Sequence, residues 1–269
     1  MAKANVNGVT IDYAVHGRGE PLVLIQGLGG PSSAWIFQNR AFGKYYRVIT
    51  FDNRGVGKSD KPSQPYTVRT MADDTVALLD HLGVDKAHVL GVSLGGMIAQ
   101  EMAISYPDRV MKLILACTAA GIGPTNGTAV ETVGHGSALR EADITDPRSV
   151  DMGRVMSEVM KLSFNKRLSK MFFVPLSKTY LRFREVQAIS GQMEAAVAHS
   201  TLDRLHQIKA PTLVIVGTGD RLIPSQSSEM LANMIPGARL VKVNGGSHAF
   251  FMEMRGRFNR EVLDFLRGN

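Results

Sequence analysis

The chain is poor in cysteine, in tryptophan and in long apolar runs. Cys117 stands alone, which excludes an internal disulfide and fits a reducing compartment. It lies in the run Leu113-Ile114-Leu115-Ala116-Cys117 and reads as a buried small hydrophobe, not as a nucleophile. No stretch approaches the ~18 consecutive apolar residues of a membrane span. Residues Met1–Gly8 lack the apolar core of a secretory leader, so a cytoplasmic location is expected. There is no His-Glu-x-x-His pattern and no Cys/His cluster, so neither a metal nor another cofactor is expected. Internal repeats and low-complexity tracts are also missing.

What is present suits an ordinary globular protein. A length of 269 residues with 44% hydrophobic content supplies a full core for one large α/β domain. The net charge of +7 admits nucleic acid, an anionic membrane or an acidic partner. Most of that charge is dispersed along the chain, with one exception in its middle.

Strand-like and helix-like segments alternate. Val6–Tyr13 carries Asn7-Gly8 and reads as an edge hairpin. Pro21–Ile25 is a continuous apolar run, as expected of a strand buried on both faces. A helix capped by Ser32 or Ser33 is predicted to run to about Phe42, and a strand over Tyr46–Phe51. The next turn, Asp52 to Ser59, is glycine-rich but lacks the phosphate-loop spacing; Asp52, Arg54 and Ser59 are expected to tie a long loop together. Helix over Met71–Leu82, strand over Val84–Gly91, helix over Gly95–Ser105 and strand over Val110–Ala116 follow. From Pro211 the alternation resumes: strand Thr212–Val216, helix Ser225–Met234, strand Ala238–Val243 and helix Phe258–Leu266. Such alternation predicts a largely parallel sheet with helices on both faces.

The most informative stretch is Gly91-Val92-Ser93-Leu94-Gly95. A bare G-x-S-x-G arises by chance in about one chain in three at this glycine content, but here an apolar β-rich run leads in and a helix-forming run leads out. That is the setting of a nucleophile elbow, with a serine on a strained strand-to-helix turn. Side chains at 91 and 95 would collide with the approaching strand and helix. The helix would aim its positive end, and the free N–H of Leu94, at whatever Ser93 attacks.

Ligands of a parallel sheet gather at the carboxyl ends of its strands. Four predicted strands end in suggestive turns: at Gln26–Gly30, at Ser93, at Gly217-Thr218-Gly219-Asp220, and at Asn244-Gly245-Gly246-Ser247-His248. The chain order is Ser, Asp, His. With Phe51–Ser59 added, these motifs make the chain resemble the α/β-hydrolase fold family along nearly its whole length, closest to its carboxylesterase and enol-lactonase branch. The resemblance implies an eight-stranded, mostly parallel sheet with helices on both faces and an inserted helical cap. It implies Ser93 as nucleophile, His248 as general base and Asp220 as the carboxylate that orients it. The oxyanion would be held by the backbone N–H groups of Leu28 and Leu94. Gln26 departs from the family, in which His is frequent at that position. Asp203 is a rival acid, but it precedes a strand instead of following one. His16, His81, His88, His135, His199 and His206 read as surface or structural. A serine at 93 sets aside the family's dehalogenases and epoxide hydrolases, which attack through aspartate.

From about Gly121 to Ser200 the alternation stops, and helical patterns appear over Val150–Leu162, Leu168–Phe173, Lys178–Ile189 and Glu194–His199. The expected organisation is a core of 1–120 and 201–269 with 121–200 as the cap. Lys161–Arg184 carries Lys161, Lys166, Arg167, Lys170, Lys178, Arg182 and Arg184 and no acidic residue, interleaved with aromatics. One reading is a set of solvated faces above a pocket; another is a docking surface for an acidic carrier protein or an anionic substrate. Nucleic acid is not expected, because no recognition module is present. The expected activity is hydrolysis of carboxylic esters or lactones through an acyl-enzyme. The alternatives are a methyl ester esterase acting on a pimeloyl–carrier protein, a carbon–carbon bond hydrolase, and a hydrolase-fold receptor for a lactone.

Overall fold

Asn7 and Gly8 both take positive φ, 45° and 75°, the geometry that lets a two-residue turn follow the right-handed twist of its strands. They join β1 (Ala2–Val6) to β2 (Val9–His16) in an antiparallel hairpin. The computed structural model describes residues 2–122, 152–165 and 183–268. Six further strands follow in chain order: β3 (Pro21–Ile25), β4 (Arg47–Phe51), β5 (Ala87–Val92), β6 (Val110–Ala116), β7 (Thr212–Gly217) and β8 (Arg239–Val243). They form one eight-stranded sheet in the order β1-β2-β4-β3-β5-β6-β7-β8. The β1–β2 and β2–β4 pairings are antiparallel and the rest are parallel.

This order makes β3 a switch point. The chain leaves it for β4 on one side and returns to β5 on the other. The crevice at the carboxyl ends of β3 and β5 is therefore where a ligand site belongs. The run predicted as doubly buried, β3, is buried at all but its first position, and β5 and β7 are buried throughout. The helices of the core divide between the two faces. Residues of α2 (Val68–His81), α3 (Leu94–Ser105) and α6 (Ser225–Met234) join one apolar cluster. Residues of α1 (Ile36–Phe42) and α8 (Arg255–Arg267) join the other.

Three sequence expectations shift. A 3₁₀ turn over Ser32–Trp35 precedes α1, and no serine side chain caps it; the Ser32 N–H instead donates to Asp52 Oδ1 at 2.7 Å. α2 begins earlier than Met71 because Thr67 and Thr70 form a reciprocal capping box. In the inserted segment, α4 (Met152–Ser163) agrees with expectation, but α5 runs unbroken over Phe183–Val197. Two helices, Lys178–Ile189 and Glu194–His199, were expected there, and Gly191 lies in the gap between them. A Cβ there would lie 3.1 Å from the Tyr66 ring, so this glycine serves close packing within a continuous helix. The expected helix Leu168–Phe173 lies outside the described residues. A short helix, α7 (Phe250–Glu253), adjoins α8.

The two ends of the segment meet. Thr201 N–H donates to Ala120 O at 2.9 Å. Its hydroxyl donates to Gln100 Oε1 at 2.6 Å, and Gln100 Nε2 donates to Ala119 O at 3.0 Å. The helix that follows Ser93 thus pins both ends of the segment to itself.

Candidate active site

Ser93 stands between β5 and α3 with φ 56° and ψ −123°, a strained conformation for a residue with a side chain. The strain is held by packing. A Cβ on Gly91 would lie 2.1 Å from Gly95 O, and one on Gly95 would lie 2.2 Å from Ile25 O. Only glycine lets the helix come back this close to β5 and β3. Ser93 N–H donates to Ala116 O at 3.0 Å, and Ser93 O accepts from the Thr118 hydroxyl at 2.7 Å. The turn is fixed on both sides of the serine.

The loop after β3 approaches from the other side. A Cβ on Gly27 would lie 3.0 Å from that of Ser93. Gly30 N–H donates to Gly27 O at 3.0 Å, closing a β-turn, and Gly29 supplies positive φ (63°) at its third position. Gln26, where the family often has His, accepts the Gly27 N–H through Oε1 at 3.0 Å. Gly29 N–H donates to Gln192 Oε1 at 2.9 Å. These bonds engage the N–H groups of Gly27, Gly29 and Gly30 and leave over that of Leu28. Leu94 is the first residue of α3, so its N–H has no acceptor within the helix.

Asp220 and His248 follow β7 and β8. His248 Nδ1 lies 2.8 Å from Asp220 Oδ2. The other carboxylate oxygen, Oδ1, accepts the backbone N–H groups of Leu222 and Ile223, each at 2.9 Å. Asp220 can therefore present only one oxygen to the imidazole, in one direction. Gly217 and Gly246 make this meeting possible, since a Cβ on Gly217 would lie 2.2 Å from Gly246 O. Burial and the Asp220 carboxylate push the Cys117 thiol well above its usual range, so it stays protonated as a donor. Cys117 was expected as a buried hydrophobe. It is fully buried, but with positive φ (48°) it turns its sulfur onto the Asp220–His248 pair. Sulfur, carboxylate oxygen and ring nitrogen all lie within 4.8 Å of one another. They do not frame a zinc site. Ligands about 2.1 Å from a tetrahedral ion sit about 3.4 Å apart, and the 2.8 Å Asp220–His248 contact is a hydrogen bond.

Ser93 and His248 line one cavity of about 530 Å³, together with Gln26, Leu28 and Leu94. The inserted segment supplies much of its apolar wall, through Met156, Val159 and Met160 on α4 and Met193 and Ala196 on α5. A buried apolar space with a few converging polar groups takes a mostly apolar ligand and fixes its orientation. Asp203, the rival acid, is exposed on a 3₁₀ turn. His88 contacts Glu20 and the Tyr46 ring, and His81 packs on Tyr13; His16 and His206 are exposed. His135 and most of the basic stretch Lys161–Arg184 lie outside the described residues. Sequence reasoning missed Gln192, which gives no local signal: its partners are Gly29 and Arg54.

A family model described as alpha/beta hydrolase fold matches residues 20–254. The chain is 29% identical over 268 residues to a protein of Azorhizobium caulinodans named as a candidate carbamate hydrolase, RutD, with 98% of each covered. Its structure is similar to the enol-lactonase from Burkholderia xenovorans LB400, with a TM-score of 0.84 and 27% identity over 99% of this chain and 100% of that one. It is also similar to Est816, described as an N-acyl homoserine lactone degrading enzyme, with a TM-score of 0.82 and 28% identity over 98% of this chain and 100% of that one.

Proposed function

Since the chain belongs to the α/β-hydrolase fold family, we propose that it is a serine hydrolase cleaving carboxylic esters or lactones through an acyl-enzyme. The observation that carries this reading is that Ser93, strained at φ 56° on its elbow, shares a cavity with His248, and that Asp220 grips the far nitrogen of that imidazole at 2.8 Å.

The chemistry follows from those positions. With Nδ1 directed at Asp220, His248 keeps Nε2 as the proton acceptor. Ser93 Oγ attacks the carbonyl carbon as Nε2 takes its proton. The carbonyl oxygen becomes an oxyanion and accepts the N–H groups of Leu28 and Leu94. The imidazolium, stabilised by Asp220, returns the proton to the alcohol oxygen as the C–O bond breaks. Water then repeats the sequence on the acyl-enzyme. His248 removes its proton, the hydroxyl adds to the acyl carbon, and Ser93 leaves reprotonated with the free acid as product. A lactone yields one hydroxy acid in place of acid and alcohol.

The segment 121–200 acts as a cap that selects the acyl group, through the apolar side chains that α4 and α5 turn into the cavity. A second reading comes from the basic stretch Lys161–Arg184, which suits an acyl group delivered on an acidic carrier protein. The relative named as a carbamate hydrolase adds carbamates to the substrates worth offering.

The test is turnover of p-nitrophenyl esters from acetate to dodecanoate, with γ- and δ-lactones and a p-nitrophenyl carbamate, by wild type and Ser93→Ala. Multiple turnover lost by three or more decades in the variant is expected, since removing one triad member disables the acyl-enzyme route. Turnover that survives Ser93→Ala refutes the serine reading. A wild type that acylates once and stalls favours the lactone receptor.

A further inference from the structure

Gln192 is fully buried on α5, 163 residues along the chain from the loop it touches. Both ends of its amide are used. Oε1 accepts the Gly29 N–H at 2.9 Å, and Nε2 donates to Arg54 O at 2.9 Å. Arg54 is anchored in turn. Its guanidinium pairs with buried Asp74 through two contacts of 2.5 and 2.6 Å, and it lies over the Tyr66 ring, against which Gly191 packs. Around the same glycine, α4 and α5 leave no slack: a Cβ on Gly29 would lie 3.0 Å from Ile189 Cδ1 and 3.4 Å from Met156 Cε.

The consequence falls on the peptide before Gly29. In a turn closed by Gly30 N–H on Gly27 O, the central Leu28–Gly29 peptide is the unit free to flip, because glycine at its second residue accepts either orientation. Gln192 holds the N–H of that peptide. We infer that Gln192 is a positioning residue for the oxyanion hole: by holding the Gly29 N–H it keeps the turn in one conformation and one place, and with it the Leu28 N–H one peptide away. This rests on the acyl-enzyme reading above, and it gives the inserted segment a part in rate as well as in selection. A shift of about 1 Å in a charge-stabilising donor costs on the order of 100-fold in rate, so an anchor reaching the loop from α5 has catalytic weight without touching substrate.

The inference is tested with Gln192→Met, which keeps the length and removes both bonds, and Gln192→Glu, which keeps the acceptor for Gly29. The substrate is the best p-nitrophenyl ester. The second readout is inhibition by an aryl trifluoromethyl ketone, which forms a tetrahedral adduct and so reports the oxyanion hole. Gln192→Met is expected to lose about 10- to 100-fold in kcat with KM within about twofold. Its inhibition constant should rise by the same factor as kcat/KM falls. Gln192→Glu should regain most of the loss in both. Thermal melting identifies any variant that fails to fold. Wild-type kcat in Gln192→Met overturns the inference, as does a loss confined to KM or a Gln192→Glu no better than Gln192→Met. Those results leave the serine reading standing, provided Ser93→Ala is inactive. An active Ser93→Ala removes both.

Discussion

The Cys117 sulfur sits against the Asp220 carboxylate and the His248 ring, at the end of the strand that neighbours the one carrying Asp220. With Leu222 and Ile223 on Oδ1 and His248 on Oδ2, the thiol completes the donors around a buried anion. Cys117→Ser keeps a donor there, whereas Cys117→Ala leaves the carboxylate less neutralised. We expect kcat/KM of Cys117→Ala to fall about threefold to tenfold, in line with the ~1 kcal/mol of a single hydrogen bond, and Cys117→Ser to stay closer to wild type. Equal loss in both variants would mean that the sulfur fills space and does no more. Because the thiol is fully buried and its ionisation is pushed up, it should resist aromatic disulfide reagents until the protein unfolds.

Asp220→Asn tests the neighbouring role. The amide preserves shape but offers an N–H where an acceptor is needed, which favours the wrong imidazole tautomer. A loss of about 10⁴ in kcat is typical of this change in a serine triad. It should appear with unchanged melting and unchanged labelling of Ser93 by a highly reactive fluorophosphonate over long times.

Gly95→Ala should damage folding more than chemistry. Its Cβ would sit 2.2 Å from Ile25 O and 2.7 Å from Gln26 O. Both are backbone atoms of the central sheet and its following loop, so neither can step aside without moving β3. We expect insoluble or strongly destabilised protein. Gly83→Ala is the control, with open space around the new methyl but a φ of 64°, and should cost only about 1–2 kcal/mol, the strain of a left-handed alanine. Comparable melting in the two variants would refute the steric argument.

The Arg54–Asp74 pair lies beneath the loop that Gln192 grips. Both side chains are buried, and Asn7 also donates to Asp74 at 2.9 Å. Asp74→Ala strands a guanidinium away from water, a loss of about 3–5 kcal/mol. Denaturant unfolding should show a lower midpoint and an unfolding free energy reduced by that amount. Should Asp74→Ala unfold at the wild-type midpoint, the pair is not a structural anchor.

What was readable in the sequence was whatever steric necessity writes into residue type. The elbow could be read because Gly91 and Gly95 each face backbone at about 2 Å, so no other residue fits. The meeting of Asp220 and His248 could be anticipated because each stands in a turn at the carboxyl end of a predicted parallel strand. The hidden part was long-range or cooperative. The continuity of α5 through Gly191 was hidden because the reason for that glycine, the Tyr66 ring, lies far away in the chain. Cys117 looked like filler because positive φ cannot be inferred for a cysteine from its apolar flanks. Gln192 carries no periodicity or motif; only the fold brings it to Gly29. The helix cap at Thr67 was missed because its partner is Thr70, not the Glu or Gln of the usual box.

His199 gives the chain an acid-sensitive joint where the inserted segment rejoins the core. Burial first, and the charge of Arg204 second, lower its pKa to about 4, with Glu101 opposing. In the unfolded chain a histidine titrates near 6.5. Between those values the unfolded state binds a proton that the folded state refuses, so stability is complete above pH ~6.5 and declines as the pH falls toward ~4. His199→Gln has no proton to gain, and its melting temperature should fall less than that of wild type across this window. Above pH 7 the two should respond to pH in parallel. Glu101, which meets Arg204 at 2.8 Å, also feels the charge of His199. Against the cost of burial, hydrogen bonds from Arg204 and Ser105, and behind them that charge, hold its carboxyl below the usual range, so Glu101→Gln is paired with His199→Gln to separate the two responses. Parallel curves between pH 4 and 6.5 would show that His199 is protonated as easily in the folded protein as in the unfolded one, and that the burial around it does not reach its ring.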